Sequence, residues 1–80
     1  MKVRVLLFAG LRERAGRSEL ELDTLPPAAR VSDLVRELEG RYSFLEGFPF
    51  RVARNCDFVN TDEALQEGDE LALLPPVSGG

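Results

Sequence analysis

Hydrophobic and polar residues alternate over Lys2-Val3-Arg4-Val5-Leu6-Leu7-Phe8, with Val3, Val5 and Leu7 on one face and Lys2, Arg4, Leu6 and Phe8 on the other. A two-residue period of this kind predicts a strand. Gly10 breaks the run, and Leu11 to Ala15 suit a short helical turn ended by Gly16. Ser18-Glu19-Leu20-Glu21-Leu22-Asp23 alternates again and predicts a second, half-buried strand, close enough to the first for a hairpin. Pro26-Pro27 forces an irregular stretch.

The period then changes. Val31, Leu34, Val35 and Leu38 fall at i, i+3, i+4 and i+7, one face of an amphipathic helix over about residues 32–41. Ser32 stands at its expected N-cap, Asp33 in its first turn, and Gly40 is a reasonable stop. Tyr42, Phe44, Leu45 and Phe48 follow as core-filling groups. Arg51-Val52-Ala53-Arg54-Asn55 reads as a third strand, Asn55 to Asp57 as a turn, and Phe58-Val59 as a brief further strand. Ala64 to Asp69 bends at Gly68, and Glu70-Leu71-Ala72-Leu73-Leu74 is the last strand, with Leu71 and Leu73 facing one way.

The order ββαβ(β)β, with one main helix, predicts an α+β domain whose helix packs on one face of a mixed sheet. The right-handed crossover allows the last strand to run parallel to the first, the arrangement of a ubiquitin-like β-grasp. If those strands are neighbours, Leu6, Phe8 and Leu74 fall on the face away from the helix. They then form either a protein-binding patch or a surface covered by loops. Arg54 shares a phase with Val52, so its stem points inward and its head must reach the sheet margin.

Composition narrows the chemistry. Eighty residues with 44% hydrophobic positions make one small folded domain. The chain has no histidine, and so lacks the usual general base and Ser-His or Cys-His pairs. The single cysteine, Cys56, allows no intrachain disulfide and no common zinc site, which fits a reducing cytoplasm; it is expected to be a structural thiol. No permanently bound cofactor, metal site or active site of the chain's own is expected. No apolar run has the length of a membrane span or a signal peptide. Residues 1–40 balance seven basic against seven acidic side chains, whereas residues 41–80 hold three against seven, so the whole net charge of −4 lies in the second half. Nucleic-acid binding is disfavoured, and a protein partner with a basic surface is expected instead.

The sequence ends Pro75-Pro76-Val77-Ser78-Gly79-Gly80. Two glycines present a carboxylate on a thread without side chains, able to enter a channel too narrow for any branched residue. The prolines fix φ and stiffen the neck. Residues 1–74 therefore read as the folded domain and residues 75–80 as an extended tail.

Val52-Ala53-Arg54-Asn55, Leu65-Gln66-Glu67-Gly68-Asp69-Glu70-Leu71-Ala72 and the Pro-Pro-Val-Ser-Gly-Gly terminus resemble the small subunit of molybdopterin synthase. So does the opening Phe8-Ala9-Gly10-Leu11-Arg12-Glu13, and the resemblance covers essentially the whole chain. Arg54 is a departure, standing where an apolar residue is expected. The resemblance implies a sulfur carrier with the β-grasp fold. Carboxyl termini ionise near pKa ~3.5, so the Gly80 carboxylate is a poor electrophile at neutral pH. In the family scheme an adenylyltransferase like those that activate ubiquitin uses ATP to form an acyl adenylate. Sulfur from a donor such as a cysteine desulfurase system then replaces AMP to give a thiocarboxylate. The tail delivers that sulfur to cyclic pyranopterin monophosphate in the large synthase subunit, in an assembly of two small and two large subunits. The resemblance makes Gly80 the reacting residue, with Pro75, Pro76, Val77, Ser78 and Gly79 as its tail. It also implies Phe8, Leu74 and Phe58 as partner contacts. The same tail chemistry serves carriers for thiamine or tRNA thiolation, and a ubiquitin-like modifier joined through Gly80 to lysines of target proteins.

Overall fold

A computed structural model describes residues 1–45, 47, 49–55 and 57–75. Expectations for Phe48, Cys56 and the tail residues Pro76, Val77, Ser78, Gly79 and Gly80 lie outside the described residues, as do those for the Phe44 side chain. Five strands form one sheet in the order β2-β1-β5-β3-β4. They are β1 (Val3–Leu7), β2 (Glu19–Leu22), β3 (Arg51–Arg54), β4 (Asp57–Phe58) and β5 (Glu70–Leu74). β1 pairs antiparallel with β2 and parallel with β5, as the alternation and the crossover rule predict. β3 pairs antiparallel with both β5 and β4.

The inward residues of these strands are the predicted ones. Val3, Val5, Leu7, Leu20, Leu22, Leu71 and Leu73 are all buried. They share one core with Leu11 from α1 (Ala9–Ala15) and with Val31, Leu34 and Leu38 from α2 (Val31–Arg41). A 3-10 turn, Ser43–Leu45, buries Leu45 against the same cluster, and Tyr42 packs half-buried beside it. No helix among the described residues is long and apolar enough to cross a membrane.

α1 starts at Ala9, so Gly10 lies inside the helix rather than ending the strand's influence. The helix stops where predicted: Gly16 takes φ +73° and its N–H donates to the Arg12 carbonyl at 2.9 Å.

α2 ends at Arg41 as expected but departs from expectation at its start. Its N-cap is Arg30, not Ser32. The Asp33 carboxylate accepts the Arg30 N–H at 2.8 Å, while the N–H groups of Val31 and Ser32 donate to the carbonyls of Glu63 and Thr61 at 2.9 and 2.8 Å. A helix begins with unpaired donors, and here a loop distant in sequence supplies their acceptors. Helical structure therefore starts one residue before the local signal. At the other end the helix passes through Gly40 to Arg41, whose Nε–H meets Glu37 one turn back at 3.1 Å.

That loop is tied to the sheet by Arg54. Its Nη1–H donates to the Ala64 carbonyl at 2.7 Å, and its guanidinium lies 3.4 Å from both Glu63 and Asp69. The side chain is 23% exposed, so its stem is largely buried while its head reaches the margin. The unexpected arginine thus has a structural reason. It braces the loop that caps α2 and leads into β5. Charged hydrogen bonds of this kind contribute about 1.5–3 kcal/mol, so Arg54→Ala is expected to lower unfolding free energy by about that amount in urea titrations. Lysine lacks the planar fork and is expected to recover only part of the loss. An unchanged denaturation midpoint in Arg54→Ala would show that the brace contributes nothing.

Candidate functional site

Register sets out the sheet face opposite the helices. Leu6 on β1 lies beside Ala72 on β5, Ala72 beside Ala53 on β3, and Ala53 beside Phe58 on β4. Side chains of one face repeat every second residue, so these four make an apolar row across the sheet. Phe8 and Leu74 stand next to it, towards the end at which β5 leaves the sheet. Together Leu6, Phe8, Ala53, Phe58, Ala72 and Leu74 line a shallow groove of about 340 Å³. Phe8 is 41% and Phe58 44% exposed, the only large hydrophobic side chains so placed among the described residues. The predicted patch is therefore open, and no described loop covers it.

Local backbone geometry helps to hold Phe8 outward. The chain turns abruptly from β1 into α1, with Ala9 at φ +50°. A residue with a Cβ enters this left-handed region at a cost of roughly 1–2 kcal/mol, which the packing of Leu11 beneath it offsets. At the far wall Asn55 takes φ +53°, a conformation asparagine tolerates, and turns β3 into β4 so that Phe58 reaches the groove.

The structure brings Phe8, Phe58 and Leu74 together, as the sequence implied. Two residues of the site carry no such signal. Ala53 and Ala72 form the floor, where small side chains leave room for an inserted group, and only the β3–β5 register makes them neighbours. Arg51 stands opposite Leu74, with its guanidinium 4.1 Å from the centre of the Phe58 ring.

Four acids of the second half, Glu63, Glu67, Asp69 and Glu70, lie around the start of β5. Glu63 and Asp69 flank Arg54, Glu70 meets Arg4 at 3.1 Å, and Glu67 accepts the Lys2 N–H at 3.1 Å. The groove thus has an ion-paired end at Arg4 and Glu70 and a cationic rim at Arg51. β5 then leads into Pro75, which is exposed and outside any strand. Of the four acids, Glu70 is paired with Arg4 of β1, and Glu63 and Asp69 share Arg54 of β3.

Substitution of one exposed wall of the groove gives a direct check. Phe8→Asp is expected to weaken binding to a partner by about 2 kcal/mol or more, the scale of a hot spot, with little change in melting temperature. A large fall in melting temperature without a separate binding defect would place Phe8 in the core instead.

Comparison with known proteins is consistent with this geometry. The ThiS family matches residues 5–80. The molybdopterin synthase sulfur carrier subunit of Chlamydomonas reinhardtii is 34% identical, with all of both chains covered. Small archaeal modifier protein 1 of Haloferax volcanii is 39% identical, covering 92% of this chain and 95% of that one. Its crystal structure superposes with a TM-score of 0.83 at 35% identity, covering 95% and 98% of the two chains. In a complex of subunits 1 and 2 of molybdopterin-converting factor from Helicobacter pylori, the matched chain has a TM-score of 0.71 at 26% identity, with full coverage of both. The fold is the ubiquitin-like β-grasp.

Proposed function

The chain belongs to the ThiS family, and on that premise we propose that it is the sulfur-carrier subunit of molybdopterin synthase. The observation that carries this reading is the position of the groove. Its apolar wall ends at Leu74, next to the point where the chain passes through Pro75 towards Gly80. A partner that seats on Phe8, Phe58 and Leu74 is thereby placed to receive the tail.

The chemistry follows from the carboxylate. Attack of the Gly80 carboxylate on the α-phosphorus of ATP, on an adenylyltransferase partner, releases pyrophosphate and leaves an acyl adenylate. A persulfide supplied by a donor such as a cysteine desulfurase system attacks the acyl carbon through its terminal sulfur and displaces AMP, and a thiol then reduces the resulting acyl disulfide to release the thiocarboxylate. A thiolate-like sulfur is soft and nucleophilic, unlike the original carboxylate oxygen. In the large subunit it adds to cyclic pyranopterin monophosphate, and hydrolysis of the acyl–sulfur bond returns Gly80 to its carboxylate. A dithiolene needs two sulfurs, so two loaded carriers act per product, in keeping with two small and two large subunits. ATP is consumed by the activating enzyme and is not held by this chain. Gly79 gives clearance in the channel, and Pro75 and Pro76 reduce the entropy lost on threading Val77 and Ser78. The dependence on ATP and on reduced sulfur places the reaction in the cytoplasm.

Transfer of sulfur from the loaded chain to cyclic pyranopterin monophosphate, in the presence of the large subunit from the same organism, tests the assignment. Formation of molybdopterin supports it. Sulfur appearing only in a thiazole precursor or in tRNA would reassign the carrier to another acceptor.

The likeness to small archaeal modifier protein 1 favours a second reading, conjugation of Gly80 to lysines. It predicts adducts that survive reducing denaturation. Their absence beside abundant thiocarboxylate leaves the carrier reading standing alone.

A further inference from the structure

We infer that Arg51 is a specificity residue of the groove, and that it reads a carboxylate on the partner surface that seats there. This rests on the docking role assigned above to the Phe8–Leu74–Phe58 groove and names the chemistry its partner must carry.

Arg51 and Leu74 are register partners on adjacent strands, so the guanidinium stands on the open face where β5 leaves the sheet. It is exposed and lies 4.1 Å from the Phe58 ring centre. Stacking orients the planar group and limits its freedom, so less entropy is lost when it accepts an anion. Among the described residues it has no carboxylate partner, in contrast to the other arginines of the sheet. Arg4 is held by Glu70, and Arg54 by Glu63 and Asp69. Glu63, Glu67, Asp69 and Glu70 are gathered at the other end of β5. The groove is thus an apolar trough whose rim beside Leu74 carries a pre-oriented cation without a carboxylate partner among the described residues. The complementary surface is an apolar side chain inserted over Ala53 and Ala72, with an aspartate or glutamate beside it within reach of Arg51. Arginine at the edge of an apolar anchor is a frequent hot spot, and pairing across such an edge sets partner choice more than total affinity.

The probe is subunit 2 of molybdopterin-converting factor from the same organism, titrated calorimetrically with the full chain at about 50 and about 300 mM salt, concentrations that shorten the screening length severalfold at the upper end. Binding of the unaltered chain is expected to weaken as salt rises. Arg51→Glu is expected to weaken binding by about tenfold or more at low salt, through like-charge repulsion. Arg51→Leu, which keeps the apolar cover on Phe58, is expected to lose most of the salt dependence. Melting temperatures of both variants are expected to match that of the unaltered chain, because Arg51 is exposed. If Arg51→Glu does not fold, Arg51→Leu alone carries the test.

Unchanged affinity in both variants, or an Arg51→Leu variant with undiminished salt dependence, would overturn the inference and leave Arg51 a cover for Phe58. Phe8→Asp in the same titration separates this from failure of the underlying reading. If Phe8→Asp abolishes binding while the Arg51 variants bind normally, only the role of Arg51 falls. If Phe8→Asp also binds normally, the groove is not the docking face and both fall.

Discussion

A chain lacking Gly80 is expected to take up no sulfur from an activating enzyme, ATP and a sulfur source, while melting at the temperature of the full chain. The stability half of this expectation follows from where the core lies. Every buried hydrophobic residue described falls between Val3 and Leu73, and Pro75 is already exposed. A residue beyond that point contributes few contacts to lose. The chemical half follows from reach. Removing one residue draws the terminal carboxylate back by about 3.5 Å along an extended chain. Reacting atoms must approach to within about 3–3.5 Å, so a displacement of this size removes the attack geometry altogether. Intact mass is the readout. The full chain gains the mass difference between sulfur and oxygen, and the shortened chain does not. Equal gain in both would remove Gly80 from the reaction and with it the carrier assignment. A joint loss of loading and of melting temperature would show that the tail is part of the folded unit.

The largest expected effect on stability comes from the helix. Leu34→Ala is expected to cost about 2–5 kcal/mol, the range for truncating a buried leucine. Leu34 is fully buried in the cluster that contains Val5, Leu7, Leu71 and Leu73. α2 is the longer of the two helices and presents Val31, Leu34 and Leu38 to that cluster. A domain of this size has a total stability of only about 4–12 kcal/mol. The substitution therefore removes a large share of it and is expected to lower the melting temperature by about 10 °C or more. Denaturant titration of the purified variant decides the matter. A loss below about 1 kcal/mol would mean that the surrounding side chains close over the site, or that Leu34 does not occupy the centre of the core. The contrast with Gly80 is itself informative. One change is expected to remove function without touching the fold, and the other to remove the fold without touching the reacting end.

Much of this architecture was legible in the sequence because it is written in short periods. The alternation at Val3, Val5 and Leu7 and at Leu71 and Leu73 states which face of a strand is buried, whatever the partner strand. The spacing of Val31, Leu34 and Leu38 does the same for α2. Gly16 announces the end of α1, since a left-handed residue is needed there. The groove residues Phe8, Phe58 and Leu74 were accessible through the likeness of the motifs. Phe8 and Leu74 were also accessible through strand phase once β1 and β5 were supposed to be neighbours.

What remained needed partners far apart in the chain. The N-cap of α2 moved to Arg30 because carbonyls from Thr61 and Glu63 meet its first donors. Arg54, anomalous as an inward-facing residue, became a brace once Ala64, Glu63 and Asp69 stood around it. Glu63, Asp69 and Glu70 of the acidic second half found their counter-ions only when Arg54 and Arg4 stood beside them. The floor of Ala53 and Ala72 and the rim of Arg51 exist only through the register of β3 against β5. Periodicity is a property of one segment and survives in any fold. Hydrogen-bond acceptors, counter-ions and groove neighbours are properties of pairs of segments. The sequence alone determined which residues turn inward, and the tertiary structure decided which charges meet and which side chain, Arg51, stands at the edge of the groove.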